Sequence, residues 1–161
     1  MAELMRALAG TSAAVAVTGA VGGLASADVR SDWYANLDKP GFQPPDRVFP
    51  VAWTALYADI ALVTGAALAA LRRRGRSKQA RALAVALGVN LAANAGWSWV
   101  FFRGHRLGPA VAVAGLLTLS SADLARRTGQ ASPYAAAALA PYPAWCCFAT
   151  VLSSAVWRRN R

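Results

Sequence analysis

Five long apolar runs, separated by shorter polar stretches, organise this chain. The first holds no charged residue between Arg6 and Asp28, and its pattern predicts a helix over about residues 8–29. Comparable runs predict helices over about 51–71, 82–102, 107–124 and 134–157. A helix rises 1.5 Å per residue, so about 20 apolar residues cross the hydrocarbon core of a bilayer. Each run is at or near that length. The expected fold is therefore all-α, a single domain in which five transmembrane helices form a bundle. The first run lacks a clear cleavage signature and is read as a retained helix. Pro141 and Pro143 fall inside the fifth, where lost backbone hydrogen bonds predict a kink.

Within these runs the polar and aromatic residues keep helical spacing. Trp53, Tyr57, Ile60 and Thr64 share one face of the second helix, and Ala61, Gly65 and Ala69 form a line of small residues beside it. Asn90, Asn94, Trp97 and Phe101 form a stripe on the third helix. Ala84, Gly88, Ala92 and Gly96 run roughly opposite, a pattern that suits close helix contact within the chain or across a dimer. Asparagines in lipid need partners, so their stripe should face inward, either as interhelical glue or as the lining of a cavity. On the fifth helix Tyr142, Trp145, Ala149 and Leu152 share a face. Asp59 lies inside the second run, where a carboxyl is costly unless paired or wet. Asp123 has Arg126 and Arg127 within one turn, which predicts a local ion pair.

The stretch from Arg30 to Pro50 is different. Pro40, Pro44, Pro45 and Pro50 forbid a continuous helix, while Trp33, Tyr34, Phe42 and Phe49 suit the headgroup level. A rigid loop covering one end of the bundle is expected over residues 30–50.

Composition supports the membrane reading. Hydrophobic residues make up 57% of the chain and charged ones 15%, with a mean hydropathy of +0.35, too little charge to surface a soluble domain. The net charge of +10 suggests nucleic acid until its placement is seen. Bases crowd between Arg72 and Arg81 and at Arg158, Arg159 and Arg161, and the others sit mostly at the ends of apolar runs. That is the distribution of loops beside anionic lipid, and no recognition element for nucleic acid accompanies it. With the N-terminus inside, the cytoplasmic face would carry nine bases against eight on the other, a small margin for that orientation. Cys146 and Cys147 are adjacent and read as helix fillers, and His105 stands alone, so no metal site is expected. No paired acid and base and no activated nucleophile is present, so no catalytic residue is assigned.

Three motifs in order give the chain a family resemblance. One is Trp33-Tyr34-x-x-Leu37-x-Lys39-Pro40-x-x-x-Pro44-Pro45, continuing to Val48-Phe49-x-x-x-Trp53-Thr54-x-Leu56-Tyr57. The second is Asn94-x-x-Trp97-x-x-x-Phe101-Phe102. The third is Pro141-Tyr142-x-x-Trp145-x-x-Phe148-Ala149, then Leu152 and Trp157-x-x-Asn160. Together they resemble the TspO/MBR family, the tryptophan-rich sensory proteins related to the translocator protein, or peripheral-type benzodiazepine receptor. The resemblance implies a five-helix bundle, often a homodimer, whose first loop covers a ligand pocket. It implies binding of porphyrins such as protoporphyrin IX or haem, with no obligatory cofactor. For this chain it implies a multi-pass protein of a bacterial cell membrane. Carried over by position, the pocket would comprise Trp33, Tyr34 and Pro44 of the loop and Trp53 and Tyr57 of the second helix. Asn90, Asn94, Trp97 and Phe101 would come from the third, and Trp145, Ala149 and Leu152 from the fifth.

Departures narrow the expectation. Phe42 and Arg47 stand where the family often has Trp, Asn90 where it usually has Gln, and Ser153 where an Asn typically follows the leucine. Ser154 replaces the tyrosine of the animal sterol motif, which leaves cholesterol recognition in doubt. The expected function is membrane binding or sensing of a flat, hydrophobic, weakly anionic tetrapyrrole, with Lys39 or Arg47 at the rim meeting its propionates. The alternatives are transport of porphyrins or lipids, and light-dependent porphyrin degradation through the bound pigment and nearby tryptophans.

Overall fold

A computed structural model describes residues 1–161, the side chain of Asp28 excepted. Helix α1 spans Ala2–Ser26 and passes through a short 3-10 turn, Ala27–Arg30, into the single-turn α2, Asp32–Ala35. Then follow α3 (Val48–Arg73), α4 (Ser77–Ser98) with a π-helical continuation (Trp99–Arg103), α5 (Leu107–Thr128), α6 (Pro133–Leu139) and α7 (Pro141–Arg159). Five helical units are long and apolar enough to cross a membrane: α1, α3, α4 with its continuation, α5, and α6 with α7. The chain is a multi-pass integral membrane protein.

Charged residues at several helix ends find partners. Glu3 pairs with Arg72 at 3.0 Å in the first turn of α1, which begins at Ala2 and ends at Ser26, short of the expected residue 29. Asp123 holds Arg126 and Arg127 at 2.6 Å each near the end of α5, which runs to Thr128. Pro50 falls in the first turn of α3, where its missing N–H has no intrahelical partner to lose. At the expected kink the helical hydrogen bonding is interrupted at Ala140, which keeps helical φ and ψ of −57° and −32°, and both prolines sit in the first turn of α7. Gly75, at φ +69°, supplies the left-handed residue that ends α3.

Helix α1 lies against α3. Thr11 Oγ1 donates to the Ala61 carbonyl at 2.7 Å. A Cβ on Gly65 would stand 2.7 Å from that same hydroxyl and 2.9 Å from Leu8, so only glycine allows this approach. Ala61 and Ala69 are buried beside it, as the small-residue line required. Toward its C-terminus α1 leaves α3 for α4, where Trp99 Nε1 donates to the Val21 carbonyl at 3.1 Å and Gly22 faces Ser98. Ala84, Gly88 and Ala92 of α4 are exposed on the outside of the bundle.

The start of α1 and the α3–α4 and α5–α6 loops share one end of the bundle. Arg74 and Arg76 there donate to the carbonyls of Ala131 and Gln130, both at 2.7 Å. The 27–47 segment, the turn after the π-helix and the end of α7 share the other. The long loop is fastened at that end. Asn160 Oδ1 accepts from the Asp38 amide at 2.9 Å while its Nδ2 donates to the Asp38 carbonyl at 3.0 Å. Arg159 adds an ion pair to Asp38 at 3.5 Å.

Candidate functional site

Beneath this loop lies a cavity of about 460 Å³ to which all five spans contribute. The volume falls within the roughly 300–1,000 Å³ of small-molecule sites. Of the residues expected from the sequence, Tyr34, Trp53, Tyr57, Asn94, Trp97, Phe101, Trp145, Ala149 and Leu152 line it. They come from five stretches of chain, brought together because each helix turns its aromatic stripe inward.

Helix α3 presents Trp53 above Tyr57, their ring centroids 5.6 Å apart. Helix α4 presents Asn94 and Trp97, and Trp97 stacks on Phe101 with 5.0 Å between centroids and 16° between planes. The π-helix adds Phe102 to the same wall. Its Gly104 amide donates to the Trp99 carbonyl five residues back, at 2.8 Å. Phe101 and Phe102 of this wider turn both line the cavity. Helix α7 completes the box with Trp145, edge-on to Phe49 of α3 at 6.1 Å.

The floor is a chain of hydrogen bonds linking four helices. Tyr57 OH donates to Asn94 Oδ1 at 2.7 Å, and Asn94 Nδ2 donates to Tyr142 OH at 3.3 Å. Tyr142 OH donates to Asn90 Oδ1 at 2.7 Å, and Asn90 Nδ2 donates to Ser120 Oγ at 3.2 Å. Both readings of the asparagines therefore hold, one for each. Asn94 borders the cavity and braces it. Asn90 is fully buried behind Tyr142 and serves as glue, so its assignment to the lining is corrected.

Trp33 and Pro44 are likewise displaced from the lining. Trp33 stacks on His105, centroids 4.1 Å apart, and presses edge-on against Phe101 at 5.6 Å. It supports the wall from behind, and His105 takes the positive φ of +50° in the turn beneath it. Pro44 is passed over in favour of Gln43 and Asp46 on either side of it. Gln43 Nε2 donates to Tyr34 OH at 3.3 Å, and that hydroxyl donates to Asp46 Oδ1 at 3.4 Å. Burial, and then the nearby Asp46 charge, push the Tyr34 phenol above its ordinary range. Lys39 sits 4.2 Å from the Tyr34 ring centroid and lines the rim, whereas Arg47 is exposed and lines nothing there.

Sequence reasoning missed the α1 and α5 walls. Gly19, Gly22 and Gly23 border the cavity, as do Ala114 and Leu117 of α5. Small and aliphatic residues leave no polar stripe to read. Asp59 is half-buried, with Oδ2 inaccessible and without a partner among the described residues, and nothing in the structure explains it. No group of His, Cys, Asp and Glu among the described residues forms a metal site.

Fold and site together define a five-span membrane protein with an aromatic cavity under a fastened loop. The chain belongs to the TspO/MBR family, whose family model matches residues 11–158. It is 38% identical to the translocator protein of Homo sapiens over 133 residues, covering 80% of this chain and 75% of the relative. It is 36% identical to a tryptophan-rich sensory protein of Cereibacter sphaeroides over 129 residues, covering 80% and 77%. Protein CrtK of Rhodobacter capsulatus is 32% identical over 150 residues, covering 91% and 88%.

Proposed function

We propose that this TspO/MBR protein is a membrane binding and sensory protein for a flat, hydrophobic tetrapyrrole such as protoporphyrin IX or haem. The observation that carries this reading is the cavity walled by Trp53, Trp97, Phe101 and Trp145. Rigid rings stack on a planar aromatic ligand, and apolar surface removed from water contributes about 25 cal/mol per Å². Lys39 at the rim gives a propionate a cationic partner, and the Asn94 edge offers a polar contact deeper in. Tryptophan fluorescence in detergent, titrated with protoporphyrin IX, tests the reading. Saturable quenching is expected in the wild type, and it should weaken at least tenfold when Trp53→Ala and Trp145→Ala are combined. Unchanged affinity in the double variant would remove this cavity as the site.

A homodimer through α4 accompanies this reading. It is supported by the exposed Ala84, Gly88 and Ala92, which permit close backbone approach. Gly88→Leu should convert the dimer to monomer in cross-linking within bilayers, and a dimer that survives it must use another face.

A further inference from the structure

The cavity wall is not equally closed all round. The α5 and α7 residues that line it are buried or half-buried. The exposed lining residues are Gly23 of α1, Asp46 at the end of the loop, and Pro50 and Thr54 of α3. All four belong to the side where α1 and α3 face each other. Deeper in the membrane those helices are locked by the Thr11–Ala61 hydrogen bond at 2.7 Å and the Gly65 contact. Gly19, whose Cβ would lie 3.3 Å from the Tyr57 ring, marks where they close. At Gly23 a side chain would meet no heavy atom within 4 Å. Between these points the helices part, because α1 leaves α3 to pack on Ser98 and Trp99. Gly23 is three residues from the end of α1 and Thr54 six residues into α3. At 1.5 Å per residue both lie within roughly 10 Å of the helix ends. The gap therefore opens within the loop-side leaflet.

The loop is fastened over the opposite side of this end. Two hydrogen bonds and an ion pair bind Asp38 to the end of α7. Phe42 lies against Phe148, their centroids 6.5 Å apart, and Trp33 stacks on His105. These fastenings face α7 and the π-helix, away from the α1–α3 gap.

We propose that the cavity is loaded and emptied sideways, through the slot between α1 and α3, by molecules already dissolved in the bilayer. This inference rests on the tetrapyrrole-binding reading and narrows it. The substrate class is a membrane-partitioned, planar molecule thin enough to slide edge-on between two helices. Neither a water-soluble conjugate nor a protein-delivered ligand fits such a mouth. Asp46 and Lys39 at the loop end of the slot would hold the polar edge of the ligand at the headgroup level while the ring passes.

The test is stopped-flow quenching by protoporphyrin IX with the protein reconstituted in lipid nanodiscs. Gly23→Trp and Thr54→Trp each place a bulky side chain on one lip of the slot; Gly23 has open space beside it, and Thr54 gives up only an exposed hydrogen bond to the Pro50 carbonyl within its own helix. Association and dissociation should both slow at least tenfold in each. Val17→Trp, on the exposed outer face of α1 and off the cavity, should leave both rates unchanged. Asn160→Ala, which unfastens the loop, should leave the association rate unchanged as well. Wild-type rates in both lip variants would overturn the slot, and so would faster association in Asn160→Ala, since ligand would then arrive past the loop. Absence of saturable quenching in the wild type would overturn the tetrapyrrole reading, and the slot reading with it. Saturable binding with unslowed lip variants would overturn the slot alone.

Discussion

Tyr142 carries the centre of the hydrogen-bonded floor, and Tyr142→Phe removes a single oxygen from it. That oxygen donates to Asn90 at 2.7 Å and accepts from Asn94 at 3.3 Å. Its loss leaves a carbonyl oxygen on Asn90 and an amide donor on Asn94 without partners. Interhelical hydrogen bonds in membranes average about 0.6 kcal/mol and reach about 1.7 kcal/mol. Two of them therefore contribute roughly 1–3 kcal/mol. Asn90 is 0% exposed, so no solvent replaces the lost partner and the upper half of that range applies. At about 2–4 °C per kcal/mol for a chain of this size, Tm should fall by roughly 4–12 °C. Tyr57→Phe breaks one bond only, at 2.7 Å, and the orphaned Asn94 oxygen borders the cavity, where water or ligand can reach it. Its cost should be about 0.5–1 kcal/mol. Thermal unfolding in detergent, followed by circular dichroism, separates the two. A double variant with Asn90→Leu should lose less than the sum of its single changes, because both partners of the 2.7 Å bond are then gone together. A Tyr142→Phe loss no larger than that of Tyr57→Phe, or strict additivity with Asn90→Leu, would refute the bracing role of the floor.

Other consequences follow from the packing and the loop. Gly65→Ala puts a methyl 2.7 Å from Thr11 Oγ1 and about as close to Leu8, so it should force α1 off α3 and cost about 1–3 kcal/mol in the same melts. Gly23→Ala meets nothing within 4 Å and should be neutral or slightly stabilising, since alanine favours helix over glycine by about 1 kcal/mol. Asn160→Ala removes both hydrogen bonds that fasten Asp38 and should speed cleavage by Asp-N endoproteinase before Asp38 several-fold, which peptide mapping over time would show. The Tyr34 phenol ionises above its ordinary value of 10.0 when folded, so its contribution to stability is complete below that pH. The contribution is lost as pH rises through the higher folded value. Loop cleavage by an alkali-tolerant protease should accordingly rise above about pH 10 in the wild type, and Tyr34→Phe should flatten that part of the pH dependence.

Apolar run length alone sufficed for five spans, because a bilayer demands a stretch of fixed length whatever it packs against. Helical spacing sufficed for Trp53, Tyr57, Asn94, Trp97, Trp145 and Leu152, since residues three and four apart must share a face. The interruption of hydrogen bonding before Pro141 was equally local, a matter of missing donors in one turn. Other features depend on what lies opposite, and no single helix encodes that. Asn90 and Asn94 are one turn apart and chemically identical, yet only Tyr142, arriving from α7, separates the brace from the cavity wall. Trp33 and Tyr34 are neighbours, yet Trp33 packs against His105 and Phe101 while Tyr34 lines the cavity, a split set by what each meets across the bundle end. Phe102 joins the wall from a π-turn, and the apolar run around it does not mark where the helix widens. The open side of the cavity is decided last, by α1 crossing from α3 to α4 on contacts among glycines, a serine and one indole. The chain by itself determined the spans and their inward faces, through length and periodicity. Only the tertiary arrangement decided which inward residues meet an empty space, because a cavity is a property of the gap between helices and not of any one of them.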